Sequence, residues 1–343
     1  MIVKDEEAVL ERCLDSVADL MDEIIIVDTG SSDSTKEIAS RYTDKIYDYE
    51  WKKDFADARN FAFSKATGDY IYSCDADEVL EEQGREEFKK LKQVLMPEIE
   101  IVQMKYYEPK MQSVLNAKRE YRPKLFKRLR TFTWINPVHE TVRLDPVVFD
   151  SDIVVTHLPQ ELHINRDFAI FEEVFNEHGY FTPELCTMYI RELYKCGDEE
   201  QIEKGSSMLE KILKQDNFDN ELKMDIYCLL ARNARIKKDK DLLLAYTTKM
   251  LSMYTCAEIC YELGEFFLSQ QNAGEAEIWF SNALSSECRV DVHTGGDFAL
   301  EGLIKTYELM LEKPGLSDSI IKFYRDKVDY CRAKKEAWQM PEE

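Results

Sequence analysis

The chain has 343 residues, 33% charged and 44% hydrophobic, which is the composition of a globular protein with room for two domains. Its 45 basic and 67 acidic residues leave a formal net charge of −22, which disfavours nucleic acid and anionic membrane surfaces as partners. No run approaches the roughly 18 apolar residues that a membrane-spanning helix needs.

The N-terminus, Met1 to Cys13, reaches acidic residues at once and lacks the apolar stretch of a signal peptide. The nine cysteines are odd in number and scattered, which reads as reduced thiols in a cytoplasmic protein. Cys256 and Cys260 share a helix face at i, i+4; small buried hydrophobes is the expected role, rather than a metal site.

Glu23–Asp28 (EIIIVD) predicts a strand buried on both faces. Thr29 to Thr35 supplies a turn and helix-capping chemistry ahead of a helix in KEIASRY. A strand over Lys45–Glu50 and a helix over Phe55–Ala66 follow. Gly68 breaks the chain, and Asp69–Cys74 predicts a strand running directly into Asp75-Ala76-Asp77-Glu78. A helix over Arg85–Val94 and a strand over Ile99–Tyr106 complete a β-α-β-α-β order, which predicts a parallel sheet with right-handed crossovers. Short strands are expected between Lys124 and Val155.

From Pro183 onward the pattern is helical. Ile226 to Ala231, followed by Leu251, aligns with Ile259 to Gly264, followed by Leu284, at an offset of 33 residues. Small residues Gly264 and Ala276 suit close helix approach, so the pattern resembles a tetratricopeptide helix hairpin. Such an array serves as a partner-binding or dimer surface.

Three constellations could carry chemistry. Asp75 and Asp77, at the end of a strand, form a hard-oxygen site for Mn²⁺ or Mg²⁺ with phosphate oxygens completing the shell. Asp28 ends an earlier strand; Asp28-Thr29-Gly30-Ser31 is also the local signature of an aspartic protease, but that enzyme needs a paired aspartate and an all-β fold. At an α/β sheet edge Asp28 can instead accept a nucleobase N–H. No GxxxxGK[ST] phosphate loop is present. Among five histidines, His157 ends an apolar run and can complete a metal shell, while Glu140, after His139, is a candidate general base.

In this order, MIVKDEE, EIIIVDTGSSDST, DFADARNFAFSKATGDYIYSCDADE, WINPVHETV and VVTH resemble the family 2 glycosyltransferases of GT-A fold. The likeness is greatest to soluble members with a helical, tetratricopeptide-like C-terminal region, such as the sublancin-type peptide S-glycosyltransferases. It implies a GT-A domain over residues 1–165, a connecting segment over 166–185 and an α-helical domain over 186–343. It also implies inverting transfer of a hexose from a nucleotide-diphosphate sugar, with UDP the expected nucleotide, to a peptide or glycan acceptor.

Residue by residue, the resemblance places Lys4, Asp5 and Glu6-Glu7 beside the nucleoside, Asp28 on the base and Arg59 near the donor. It places Asp75 and Ala76 at the donor, and Asp75, Asp77 and His157 on the metal. Asp5 stands where the family more often has Asn, and His139-Glu140 replaces the usual Glu-Asp pair. Family members carry a few more apolar residues ahead of the first strand, here Met1-Ile2-Val3. The processive QxxRW motif is absent. The rival expectations are a non-catalytic degenerate GT-A platform for the helical array and a nucleotidylyltransferase. The latter would show an N-terminal glycine- and basic-rich loop, which MIVKDEEAVLERC lacks.

Overall fold

A computed structural model of the protein describes residues 1–107, 119–130, 134–136, 141–142, 146–158, 164–215 and 218–339. The chain divides into two compact units, the first closing at Glu173 and the second opening at Val174.

The first unit opens with β1 (Ile2–Val3), α1 (Leu10–Val17), β2 (Ile26–Asp28), α2 (Thr35–Ala39) and β3 (Ile46–Asp48). β2 lies between β1 and β3 and is parallel to both, as the alternating pattern predicts. All three residues of β2 are buried, which explains its unbroken apolar run. The strand is shorter than the expected Glu23–Asp28 because β1 pairs with it only through Ile2 and Val3.

α3 (Phe55–Lys65) starts at Asp54, whose carboxylate accepts the Asp57 N–H. Then come β4 (Tyr70–Tyr72), β5 (Glu78–Leu80), α4 (Glu82–Val94), β6 (Ile101–Tyr107), β7 (Arg119–Lys127), β8 (Trp134–Ile135), β9 (Thr141–Val142) and β10 (Val148–His157). Here the parallel expectation needs correction. The second sheet has the order β4-β7-β6-β10-β5 and is mixed, with only β6 and β10 parallel. Even the parallel pair is not a βαβ unit: among the described residues the chain passes from β6 to β10 through β7, β8 and β9 with no α-helix between, so the crossover rule behind the expectation does not govern this sheet. β5 falls where the sequence pattern predicts no element, between Asp77 and the helix expected at Arg85. It pairs antiparallel with β10 and sets His157 opposite Glu78.

Val102, Met104 and Val155 from the second sheet pack with Val17, Phe88 and Leu91 from the helices. A smaller cluster joins Val3, Leu10, Leu14, Ile26 and Ile38. An apolar cavity of about 390 Å³ lies between β1 and β4, bordered by Leu14, Phe63, Tyr70 and Phe88. Asp77 and His157 do not border it.

The expected connecting segment, residues 166–185, is largely helical: it runs through α5 (Ile164–His178) into α6 (Pro183–Cys196). Thr182 caps α6, with Pro183 at its first turn, where a missing N–H costs nothing. The second unit continues through α7 (Glu199–Leu213), α8 (Asn220–Ile236), α9 (Lys240–Met253), α10 (Ala257–Ser269), α11 (Ala273–Ser285), α12 (Asp297–Leu311) and α13 (Asp318–Ala337). The pairs α8–α9, α10–α11 and α12–α13 pack as hairpins. The caps of α9 and α11, Asp239 and Asn272, stand 33 residues apart, the period legible in the sequence.

Gly264 lies where that reading needs a small residue: a Cβ there would meet Phe280 Cδ1 at 2.7 Å. Phe280 is completely buried, and Gly302 presses on it from another helix, so the ring cannot retreat. Gly264→Ala is expected to cost about 1–3 kcal/mol by overpacking. Gly274→Ala, where the nearest atom would be 3.8 Å away, should shift stability little. Denaturant midpoints followed by circular dichroism check both, and equal midpoints would refute the packing argument.

Candidate active site

The site forms where β4 and β10 end and β5 begins. β4 delivers Ser73, Cys74 and Asp75; the turn through Ala76 and Asp77 leads into β5. The β5–β10 register brings His157 back across the turn, so that His157 Nε2 lies 2.9 Å from Asp77 Oδ2. Both side chains keep solvent access, at 20% and 25% exposed. The His157 ring packs 5.4 Å from the Tyr106 ring, and the Leu158 N–H donates to Asp77 O at 2.9 Å. These contacts aim the pair outward from the sheet edge.

Asp75 is held differently. Arg59 Nη2 donates to its Oδ1 at 3.3 Å, and Lys124 Nζ lies 3.8 Å from Oδ2. Burial works against ionisation, but the Arg59 and Lys124 charges outweigh it and hold this carboxyl well below the usual range. Arg59 is itself fixed, donating to Ser73 Oγ at 2.6 Å and lying over the Trp134 ring. The sequence placed Arg59 near the donor; the structure places it on Asp75.

Lys124 was missed by the sequence reading. It is 6% exposed and forms an ion pair with Glu78, itself 1% exposed. Burial raises the Glu78 carboxyl, and the Lys124 charge opposes that rise. The signal is faint: a lysine amid the apolar positions of β7, and a third acidic residue directly after the two aspartates. Glu6 belongs to the segment that the resemblance puts beside the nucleoside. Burial, then repulsion from Asp77, lifts its carboxyl to about 7, so an acid that releases its proton near neutrality stands beside the pair.

The nucleoside candidates gather on a separate feature. Asp28 is 1% exposed, and its carboxylate accepts the Gly30 and Ser31 N–H groups at 3.1 Å. Gly30 has φ +106°, which only glycine adopts without strain. Asp5 accepts from Ser32 N at 2.7 Å, and Glu7 Oε2 from Ser34 N at 3.0 Å. Asp33 in turn accepts the Glu7 N–H. The loop through Lys4, Asp5 and Glu7 is thus laced to the serine turn after β2, and Lys4 is exposed. Ala76 faces inward at 4% exposed and packs with Val3 and Leu10, so only its backbone can meet a ligand. Glu140, with His139, lies outside the described residues.

The structure brings together Asp77 and His157, a carboxylate and an imidazole 2.9 Å apart, while the Asp75 oxygens turn to Arg59 and Lys124 and are not gathered with that pair into a three-ligand cluster. All nine cysteines are free thiols. Among the described residues no helix is long and apolar enough to cross a membrane.

Residues 1–143 match the family model described as "Glycosyl transferase family 2". The SPbeta prophage-derived glycosyltransferase SunS of Bacillus subtilis is 37% identical over 97 residues, 28% of this chain and 23% of SunS. A TPR repeat-containing protein of Synechococcus elongatus is 51% identical over 80 residues, 23% of this chain and 20% of its own. An uncharacterized glycosyltransferase of Rickettsia prowazekii is 25% identical over 201 residues, 54% of this chain and 64% of that protein. The matches therefore span less than two thirds of each of these relatives. Among solved structures, glucosyl-3-phosphoglycerate synthase from Mycobacterium tuberculosis, bound to Mn²⁺ and UDP-glucose, is similar at a TM-score of 0.36 and 14% identity, over 53% of this chain and 78% of that one. TarS 1–349 from S. aureus aligns at a TM-score of 0.36 and 11% identity, over 98% and 89%.

Proposed function

We propose, from a family 2 glycosyl transferase domain over residues 1–143 joined to tetratricopeptide-like helical hairpins, that the protein is a metal-dependent, inverting hexosyltransferase. The donor is a UDP-hexose and the acceptor a peptide or glycan, presented by the helical half, which also serves as a homodimer surface. The observation that carries this reading is the Asp77–His157 pair, open to solvent at the sheet edge, with Asp75 two residues before Asp77. Open α/β sheets bind ligands at that edge.

Asp77, His157 and Asp75 would hold the cation, which when bound neutralises the charge growing on the departing diphosphate. Arg59 and Lys124 keep Asp75 ionised and fix its two oxygens. Transfer is a direct displacement. The bond from the anomeric carbon to the diphosphate oxygen breaks as a bond to the acceptor oxygen or sulfur forms on the opposite face. The acceptor proton passes to a base, for which Glu140 is proposed. Lys4, Asp5, Glu7 and Asp28 are assigned to the nucleoside end of the donor. Since the Asp28 carboxylate already takes two backbone N–H groups, its part there is to shape the Gly30–Ser31 turn.

Nucleotide release from UDP-, GDP- and dTDP-sugars, with Mn²⁺ and with EDTA, tests the reading. Release from one donor that EDTA abolishes is the expected result. If no donor is turned over and UDP with Mn²⁺ gives no heat on titration, the transferase reading falls and a non-catalytic platform replaces it.

A further inference from the structure

The second unit holds a cluster that the transfer chemistry does not use. Cys228, in the middle of α8, points its sulfur at Cys256, the residue that opens α10, with Sγ···Sγ 3.6 Å. Glu258, two residues further on, places a carboxylate oxygen within 4.8 Å of both sulfurs. All three residues are 0% exposed.

One half of the Glu258 carboxylate is fully used. Its Oε1 accepts the backbone N–H groups of Arg289, Val290 and Asp291 at 2.8, 2.6 and 2.9 Å. The other oxygen, Oε2, is buried without a hydrogen-bond partner. Buried carboxylate oxygens are rarely left so, because desolvation is then uncompensated. The nearby Arg289 guanidinium is engaged by Asp225 and Glu221 and does not supply the missing partner.

We propose that Cys228, Cys256 and Glu258 form a site for a thiophilic divalent ion of the zinc class. Two thiolates and a carboxylate are a zinc donor set, with a fourth position left over. Metal–sulfur bonds of about 2.3 Å in a tetrahedron hold two sulfurs about 3.8 Å apart, close to the separation here. Binding releases the two thiol protons and gives the bare carboxylate oxygen its partner. The ion would tie α8 to the start of α10. Through the three N–H groups on Oε1 it would also fix the segment at Arg289–Asp291 that precedes α12. Three successive hairpins are thereby clamped at one point.

The test is cobalt titration of the reduced, EDTA-dialysed full chain, followed by zinc competition. The expected result is a thiolate-to-cobalt charge-transfer band that saturates at one equivalent and is bleached by zinc. Cys228→Ser should abolish the band. Glu258→Gln keeps an acceptor for the three N–H groups but loses the charge, and should weaken zinc affinity at least tenfold, a loss that even outer-shell substitutions produce. It also serves where Cys228→Ser does not fold. Absence of the band, its persistence in a folded Cys228→Ser variant, or unchanged affinity in Glu258→Gln overturns the proposal. So does a Cys228–Cys256 disulfide found by peptide mapping of chain purified without reductant.

Discussion

Asp77→Ala is expected to lower donor turnover by about 10²–10³-fold or more while leaving the fold intact, the loss typical when one fixed electrostatic group is removed. The argument is geometric. Asp77 is a quarter exposed, and its only side-chain partner among the described residues is His157. Removing it strands no buried charge, because the His157 ring keeps its packing on Tyr106 and its own access to water. Stability should therefore move little while activity collapses, which separates this residue from its neighbours. His157→Ala should lower turnover in the same direction, and the double variant should cost little more than the worse single one, since groups that act as a unit are not additive. Steady-state nucleotide release with Mn²⁺, beside a melting curve, makes the comparison. Full turnover in a folded Asp77→Ala variant would remove the cation site from Asp77.

What the sequence shows of this site is what is local. The apolar run closing on Asp28, the aspartate pair after β4 and the histidine after VVT each announce a strand end. The 33-residue offset and Gly264 announce close-packed hairpins for the same reason: helix contacts recur at fixed spacing. What stays hidden depends on long-range pairing. Nothing near Glu78 says that it begins a strand, and apart from the family resemblance only the β5–β10 register sets His157 beside Asp77. Lys124 becomes meaningful only once β7 stands next to β4, which the expectation of a purely parallel sheet concealed. The Arg59–Asp75 contact is hidden in the same way, because the two residues stand 16 apart. Cys256 follows the same logic. Its sequence neighbour Cys260 lies along the helix, but its sulfur faces Cys228, 28 residues earlier, because residue 256 stands at the helix cap rather than inside the helix.

Lys124→Met should be the most destabilising single change in the first unit, at about 3–5 kcal/mol. Lys124 and Glu78 are almost completely buried and form an ion pair, with an Asp75 oxygen 3.8 Å from the ammonium. Methionine preserves the volume but leaves the Glu78 carboxylate buried without a counter-charge, and that uncompensated charge is the source of the cost. Two consequences distinguish this account from simple loss of packing. First, Lys124→Met with Glu78→Gln should recover most of the loss, since a buried pair replaced as a pair is often near neutral. Glutamine also keeps an acceptor for the Asp75 N–H that Glu78 Oε2 now takes. Second, the penalty should depend on pH. Burial already raises the Glu78 carboxyl above the usual glutamate range, and losing the lysine raises it further. A carboxyl whose folded pKa exceeds its unfolded one binds more protons when folded. The variant's deficit should then be smallest in acid and grow as pH rises from the unfolded value through the raised folded one. Urea unfolding of both variants at several pH values reads this directly. A deficit that is flat across that range, or a double variant no more stable than Lys124→Met, would mean that the lysine contributes shape rather than charge.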